Sequence, residues 1–201
     1  MIRVRPQMEP ANFDDRCRKG GRQWIKDNPG YDRPRDYWSE FEPDLRKVFN
    51  GLCGYCAMMV MKAQVDHFKP VVLLKQDGED EFAYEWSNFR YGEGVLNQKK
   101  SSHIVLDPFK VKDEWFEILL PSLQLVLTSK VPKVKQKLAE FTLKQLGLRD
   151  GEVVVRYREV WFSMYRERKL TLEGLKQVAP IIAVAVENDL AKGKDWRKVT
   201  L

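Results

Sequence analysis

The pattern of apolar and polar positions predicts short, mixed elements in the first half of the chain. EPDLRKVFNGL has apolar residues on one side, acidic residues at its start and an Asn-Gly stop, which predicts a short helix. CGYC then predicts a tight turn. MMVMKAQVDHF and FAYEWSNFRY, rich in β-branched or aromatic residues, predict strands, the second of them either a full strand or a strand end. GVLNQKKSSH, which follows glycines, predicts a short helix.

The two flanks of this centre differ from it and from each other. Residues 1–37, rich in Arg, Gly, Pro and Asp, have little periodicity and predict an irregular basic arm. EWFEILLPSLQLVLTS predicts two short strands broken by Pro-Ser. Three further segments have helical spacing, the last interrupted by Pro180: VKQKLAEFTLKQLGL, EVVVRYREVWFSMYRERK and TLEGLKQVAPIIAVAVENDLAKG. We therefore predict an α+β fold with a core over 38–115 and a mixed strand and helical region over 116–201.

Composition places the chain among globular proteins. It has 201 residues, 43% of them hydrophobic and 32% charged, which suits one ordinary domain with a core. Because no apolar run could span a bilayer and MIRVRPQMEP is not a signal peptide, we expect a cytoplasmic protein without membrane contact. The net charge of +6 favours a polyanionic partner, although a solvated surface of mixed charge explains it equally well. Basic residues cluster over 16–26 and 130–137.

The scarce cysteines and histidines crowd into one window, CGYCAMMVMKAQVDHFKPV. Cys53 and Cys56 form a CxxC pair. A redox pair would open a helix after a strand, whereas this one precedes a β-like run. A zinc site would need two further ligands; Cys17 is far upstream, and only His67 or His103 could help. The residues alone leave zinc binding and plain packing in a turn both open.

The Asp66-His67 pair is the other candidate for chemistry. An imidazole can take a proton from water near neutral pH, and a carboxylate can hold a hard divalent cation. A metal ion beside a scissile phosphate stabilises the charge that develops on the leaving oxygen. Taken alone, however, the dipeptide fits an ordinary hydrogen-bonded histidine better than a catalytic one.

The succession VDHFKP, YEWSNFR and LNQKKSSH resembles the HNH nuclease family over roughly residues 50–110. The resemblance implies a small ββα-metal core with Asp-His on its first strand. It implies that His67 is the general base, that Asp66 and Asn97 bind Mg²⁺ or Mn²⁺, and that Asn88 fixes the loop orienting the histidine. Three lysines complete the implied nucleic-acid contacts: Lys69, Lys99 and Lys100.

One departure from the family pattern and one alternative ligand bear on the implied metals. Cys53 and Cys56 match the first half of a structural zinc site that many HNH proteins carry. The second pair is missing where it usually stands, around YGEGVLN, so the resemblance does not support a complete zinc site. A histidine ligand at the catalytic position would also admit Zn²⁺ or Ni²⁺.

A narrower resemblance concerns most of the chain. The order LCGYC, VDHFKP, YEWSN, NxxK and LDPF, followed by TLKQLGL and VAPIIA, is similar to HNH proteins paired with ATPases in Septu-type and retron-associated antiviral defence. It implies an HNH endonuclease that hydrolyses phosphodiester bonds, with DNA favoured over RNA. It also implies an ATPase docked on the C-terminal helices.

Three aromatic residues are candidate anchors for that docking surface: Trp161, Phe162 and Tyr165. The apolar segment over 178–186 belongs to the same surface or, equally, packs on the core of the protein. The alternative function is a non-catalytic module that binds nucleic acid or protein on a degenerate zinc-knuckle fold. A dithiol redox protein is a third reading, which the missing βαβ context disfavours.

Overall fold

The computed structural model describes residues 1–60 and 62–199. Its α-helices are α1 (Lys19–Asp27), α2 (Glu42–Val48), α3 (Val71–Asp77), α4 (Gly94–Lys100), α5 (Lys133–Gln145), α6 (Glu152–Arg166), α7 (Leu172–Val178) and α8 (Pro180–Ala191). Its strands are β1 (Ala63–His67), β2 (Phe89–Glu93), β3 (Phe116–Leu119) and β4 (Gln124–Leu127). A π-helical turn precedes α1 over Asp14–Arg18. Helix makes up 51% and strand 10% of the structure, so it is a mixed α+β fold.

The strands form two separate antiparallel pairs, β1 with β2 and β3 with β4. In the first pair, Asp66 lies opposite Arg90 and His67 lies opposite Phe89. Helix α4 follows β2 without a break and contacts both strands. Its first turn is capped by Glu93, whose Oε2 accepts hydrogen bonds from the backbone N–H groups of residues 95 and 96. The Asp-His end of β1 and the helix that carries Asn97 therefore belong to one compact unit.

Two groups of buried side chains stabilise the fold, and the β1–β2 pair lies where they meet. A C-terminal cluster includes the inner faces of β3, β4 and α5–α8 and also Cys53, Tyr55 and Leu96. An aromatic cluster lies on the other side and contains Phe13, Cys17, Phe41, Leu45, Phe49, Leu74, Ala83, Tyr84, Trp86, Phe89 and Tyr91. Because the unit is packed from both sides, the polar groups within it are held away from solvent.

The prediction of an irregular lead-in was wrong over 14–27, which is helical. Cys17 on this segment and Phe13 directly before it are fully buried in the aromatic cluster. Gly21 lies directly on the ring of Tyr84, where a Cβ atom would come within 2.2 Å of the ring. The helix is thus stabilised by aromatic residues far along the chain. Its buried positions do recur every four residues, but two adjacent glycines lower the helix propensity of the segment, which is why the sequence pattern predicts an irregular segment.

Most other elements agree with the sequence pattern. The helix over EPDLRKVFNGL is confirmed as α2, the helix over GVLNQKKSSH as α4, and the broken strand pair as β3 and β4. The three C-terminal helical segments are confirmed, and Pro180 does interrupt the last one, separating α7 from α8. The sequence did not predict α3. The strand in MMVMKAQVDHF is confirmed over Ala63–His67; Met61 lies outside the described residues.

FAYEWSNFRY is a strand only in its second half. Short 3₁₀ segments occupy Asp80–Tyr84 and Trp86–Asn88, and the strand begins at Phe89. The full-strand reading is therefore wrong and the strand-end reading is confirmed. Tyr84 and Trp86 are buried in these segments, so the aromatic character of this stretch reflects packing and not strand alternation.

The apolar C-terminal segment packs mostly inward. Ile181, Ile182 and Val186 on α8 are buried in the C-terminal cluster, whereas Val184 is 49% exposed. Over residues 1–60 and 62–199, no helix combines the length and the apolar character that crossing a bilayer requires. The hydrophobicity of α8 is accounted for by the core of the protein itself.

Candidate functional site around Asp66 and His67

The Asp66 carboxylate is a deeply buried charge of the predicted site. It is only 2% exposed, and both of its oxygens accept hydrogen bonds. Lys100 Nζ lies 2.9 Å from Oδ1, and the hydroxyl of Tyr55 donates to Oδ2. Lys100, itself 1% exposed, also donates to the backbone carbonyl of His67 at 2.6 Å. Because an unpaired charge in this interior would be very costly, the Asp66 carboxylate and the Lys100 ammonium stabilise each other in their buried positions.

The CxxC turn places Tyr55 at this carboxylate. Cys53 Sγ accepts backbone N–H groups from Cys56 at 3.5 Å and from Glu93 at 3.4 Å, which ties the turn to the end of β2. Both thiols are free and buried. The pKa of Cys56 is raised because its thiol donates to the sulfur of Cys53 and because it is buried. The observed role of the pair is therefore to hold the turn that points Tyr55 toward Asp66.

His67 is held in a defined orientation by two aromatic rings and one carbonyl. Its ring lies edge-on to Trp38 at 4.5 Å and to Phe89 at 5.3 Å. Its Nε2 lies 2.9 Å from the carbonyl oxygen of Ala83. Since a carbonyl can only accept, the proton resides on Nε2, and Nδ1 keeps its lone pair. Burial lowers the pKa of His67 to about 4 although the Asp66 charge raises it, so the ring is neutral near pH 7.

Asn88 fastens the loop that follows the histidine. Its side chain is 1% exposed and bridges the backbone of Lys69, accepting from the N–H at 2.7 Å and donating to the carbonyl at 3.2 Å. The backbone carbonyl of Asn88 accepts a hydrogen bond from the backbone N–H of Phe68 at 2.8 Å. These contacts join the end of β1 to the start of β2, so Asn88 lies where a loop-fixing residue would be.

The three lysines predicted to contact nucleic acid differ in their surroundings. Lys100 is buried against Asp66, as described above. Lys69 forms surface ion pairs with Asp77 at 2.8 Å and Glu79 at 2.6 Å. Lys99 points outward from α4 and is exposed. In this arrangement Lys99 is the most available of the three to a phosphate.

Sequence reasoning missed a second buried ion pair behind the site. Arg90, opposite Asp66 in the strand register, makes a bidentate pair with Asp107 at 2.8 and 2.9 Å. Its guanidinium lies 3.7 Å from the ring centre of Phe109. Asp107 belongs to LDPF, and Tyr55 lies inside CGYC, so the signal was present in motifs used only for resemblance. The roles of both residues became visible only through contacts distant in sequence.

Asn97 lies one helical turn before Lys100 on α4, and its side chain is half-buried. A carboxylate and an amide oxygen are donor types that hard divalent cations prefer. In the observed arrangement, however, both oxygens of Asp66 accept hydrogen bonds, Oδ1 from the Lys100 ammonium and Oδ2 from the Tyr55 hydroxyl. Within the described residues, no three His, Cys, Asp or Glu side chains converge to hold a metal. The donor types fit Mg²⁺ or Mn²⁺, but the arrangement is closed by Lys100.

A scan of known protein families and searches of curated proteins and of solved structures found no match to this chain. Its chemistry must therefore be inferred from the geometry of the site. That geometry combines a neutral, oriented imidazole with an adjacent carboxylate that is neutralised by a fixed ammonium.

Proposed function

We propose that this protein hydrolyses phosphodiester bonds in nucleic acid. The observation that carries the proposal is the Nε2 contact of His67 with the Ala83 carbonyl. It leaves Nδ1 as an acceptor, and the lowered pKa of His67, about 4, keeps that acceptor free of a proton at neutral pH. A general base needs a defined lone pair in its unprotonated form, and the hydrogen bond and the lowered pKa supply these two features. Because base strength is greatest for a pKa near the working pH, the proposal requires that a bound substrate or cation change the surroundings of His67 before it acts.

More narrowly, we propose an HNH-type endonuclease that acts as the nuclease effector of a bacterial antiviral complex. Support comes from the order of the motifs and from two antiparallel strands followed directly by a helix, with Asp66 and His67 at the end of the first strand. In this proposal His67 takes the proton from water, and Asn88 keeps the adjoining loop in place. The net charge of +6 suits a nucleic-acid substrate, with DNA favoured over RNA.

Metal dependence belongs to the same proposal. Asp66 and Asn97 would hold Mg²⁺ or Mn²⁺, which supplies stabilisation of the charge on the leaving oxygen when bound. For Asp66 to serve, the Lys100 ammonium must leave its Oδ1. The closed arrangement therefore corresponds to a silent state of the enzyme.

The test is cleavage of plasmid and of single-stranded nucleic acid with Mg²⁺ or Mn²⁺ by wild type, His67→Ala and His67→Gln. Loss of a positioned base should lower the rate by about 10²–10⁴-fold. Glutamine can still donate to the Ala83 carbonyl, so His67→Gln separates the loss of the base from the loss of the hydrogen bond. Val160→Ala, at a 53% exposed position on α6, is the control. Wild-type turnover by either histidine variant, with an unchanged thermal melt, would refute the assignment.

The second candidate is a non-catalytic binding module, favoured by one observation. Both oxygens of Asp66 accept a hydrogen bond from inside the protein, as expected of a structural carboxylate. A module would bind nucleic acid or protein without cleaving any substrate under any metal condition. Binding without turnover under all of these conditions would select this function.

The proposal also includes an ATPase partner that binds the C-terminal helices. Of the three candidate anchors, Phe162 and Tyr165 are buried in the C-terminal cluster, so only Trp161 is partly exposed. An interface needs an accessible aromatic anchor surrounded by polar contacts. We expect Trp161→Glu to abolish co-purification with the ATPase while the nuclease stays folded. Wild-type recovery of the ATPase would place the interface on another surface.

A further inference from the structure

The loop after α4 and helix α5 together expose a ring pair that neither the core nor the site uses. The rings of His103 and Phe141 lie with centroids 5.6 Å apart and planes at 49°. Phe141 is 38% exposed, and His103 is exposed as well. The two rings therefore expose apolar surface to solvent. Covering that surface with another molecule would be favourable.

Lysines surround this ring pair. Lys137 and Lys144 lie four residues before and three residues after Phe141, which places all three on one face of α5. The opposite face is buried through Ala139 and Leu143. Among the described residues, neither lysine forms an ion pair with a carboxylate. The stripe therefore combines aromatic surface with two uncompensated positive charges.

The surface is joined directly to the candidate site. Gln145 on α5 donates to the carbonyl of Lys99 at 2.6 Å, which anchors the end of α4 against α5. The backbone N–H of His103 lies 2.9 Å from the Lys100 carbonyl, and its Nδ1 lies 3.1 Å from the same oxygen. Lys100 thus touches Asp66 with its side chain and His103 with its backbone. The ring pair and the candidate site therefore share Lys100 as a contact residue.

We propose that His103, Phe141, Lys99, Lys137 and Lys144 form a platform that binds single-stranded nucleic acid. One unstacked base lies on the ring pair, and the lysines contact the flanking phosphates. Stacking needs an exposed base face, which a duplex hides between neighbouring pairs, so the aromatic rings favour a single strand over a duplex. As a statement about substrate, the inference rests on the proposed phosphodiesterase function and specifies its substrate class.

The experiment measures binding without cleavage, by fluorescence anisotropy of a labelled oligo(dT) and an oligo(U) of equal length in EDTA. The two oligomers distinguish DNA from RNA, and a duplex of matched length is the competitor. We expect His103→Ala and Phe141→Ala each to weaken single-strand binding about 10-fold, in line with the loss of one stacked base. Val134→Ala on α5, 87% exposed and without an aromatic ring, is the matched control.

Lys137→Gln gives a second readout that does not depend on packing. Removing one phosphate contact should reduce the slope of log affinity against log salt by about 0.7 for a single strand. Ring variants that bind within twofold of wild type, or a duplex that competes better than the single strand, would overturn the platform. Cleavage that depends on His67 but proceeds on duplex alone would overturn the platform and leave the nuclease standing. Tight, ring-dependent binding with no cleavage under any metal would support the platform and refute the nuclease.

Discussion

Removing the buried ammonium of Lys100 tests the site most directly. Lys100→Met keeps most of the aliphatic length of the side chain but deletes the charge that lies 2.9 Å from Asp66 Oδ1 and 2.6 Å from the His67 carbonyl. The carboxylate would then remain in an interior where it is 2% exposed, with Tyr55 as its only remaining hydrogen-bond donor among the contacts described. The variant therefore leaves one charge nearly uncompensated.

The magnitude follows from the burial of both partners. Breaking a buried ion pair by removing one partner costs about 3–5 kcal/mol. The Tyr55 hydrogen bond persists and methionine fills most of the space, so we expect the lower end, about 3 kcal/mol. That loss raises the unfolded fraction about 100-fold, against a typical total stability of about 5–15 kcal/mol. The variant should fold, with a clearly lower urea midpoint.

Urea denaturation followed by tryptophan fluorescence gives the free energy of unfolding of each variant. Lys99→Met is the matched control, because Lys99 is the exposed neighbour on α4 and should change stability by less than about 0.5 kcal/mol. In Asp66→Asn/Lys100→Met both charges are gone, so part of the loss should return. If Lys100→Met is as stable as Lys99→Met, the buried pair does not exist in solution and the closed site is refuted.

Two further predictions concern the histidine and the cysteines. The pKa of His67 is about 4 in the folded protein and 6.5 ordinarily, so the unfolded chain binds more protons between these values. The free energy of unfolding should therefore fall as pH drops from 6.5 to 4, less so in His67→Gln, and equal slopes in urea titrations would contradict the shift. Cys53→Ala should cost about 1–2 kcal/mol by removing a buried acceptor of two N–H groups, while activity per folded molecule is kept. Stoichiometric zinc retained in that variant, by elemental analysis, would exclude Cys53 as a zinc ligand.

The elements that local pattern specifies were predictable from the sequence. The strand that ends in Asp66-His67 and the helix that carries Asn97 follow from residue type, spacing and flanking glycines. Whether a given side chain is exposed or buried was harder to predict. Lysine is rarely buried without a partner, so a lysine three residues after Asn97 reads as an exposed phosphate contact. Only the fold shows that its ammonium reaches Asp66.

Contacts between distant segments explain the other differences. In the CGYC turn, the sequence pattern drew attention to the two cysteines and not to Tyr55. The hydroxyl of Tyr55 nevertheless donates a hydrogen bond to Asp66, eleven residues further along the chain. Phe13, Cys17 and Gly21 lie four residues apart on the buried side of the helical segment, but a glycine and a cysteine in this row make a weak apolar signal, and the contact of Gly21 with Tyr84 is visible only in the fold. Sequence patterns indicate which residues are buried, but they do not indicate which hydrogen-bond partner a buried polar atom has in the fold.

The closed carboxylate leads to a last prediction about the metal that does not need turnover. If Asp66 and Asn97 are metal ligands, Mn²⁺ must displace the Lys100 ammonium in wild type but meets no such competitor in Lys100→Met. An ion at tenfold excess over its dissociation constant stabilises the folded state by about 1.4 kcal/mol. Mn²⁺ should therefore raise the urea midpoint of Lys100→Met more than that of wild type, and the gain should vanish in Asp66→Asn/Lys100→Met. Equal shifts in all three proteins would mean that Asp66 is not a ligand, and the carboxylate would then be purely structural.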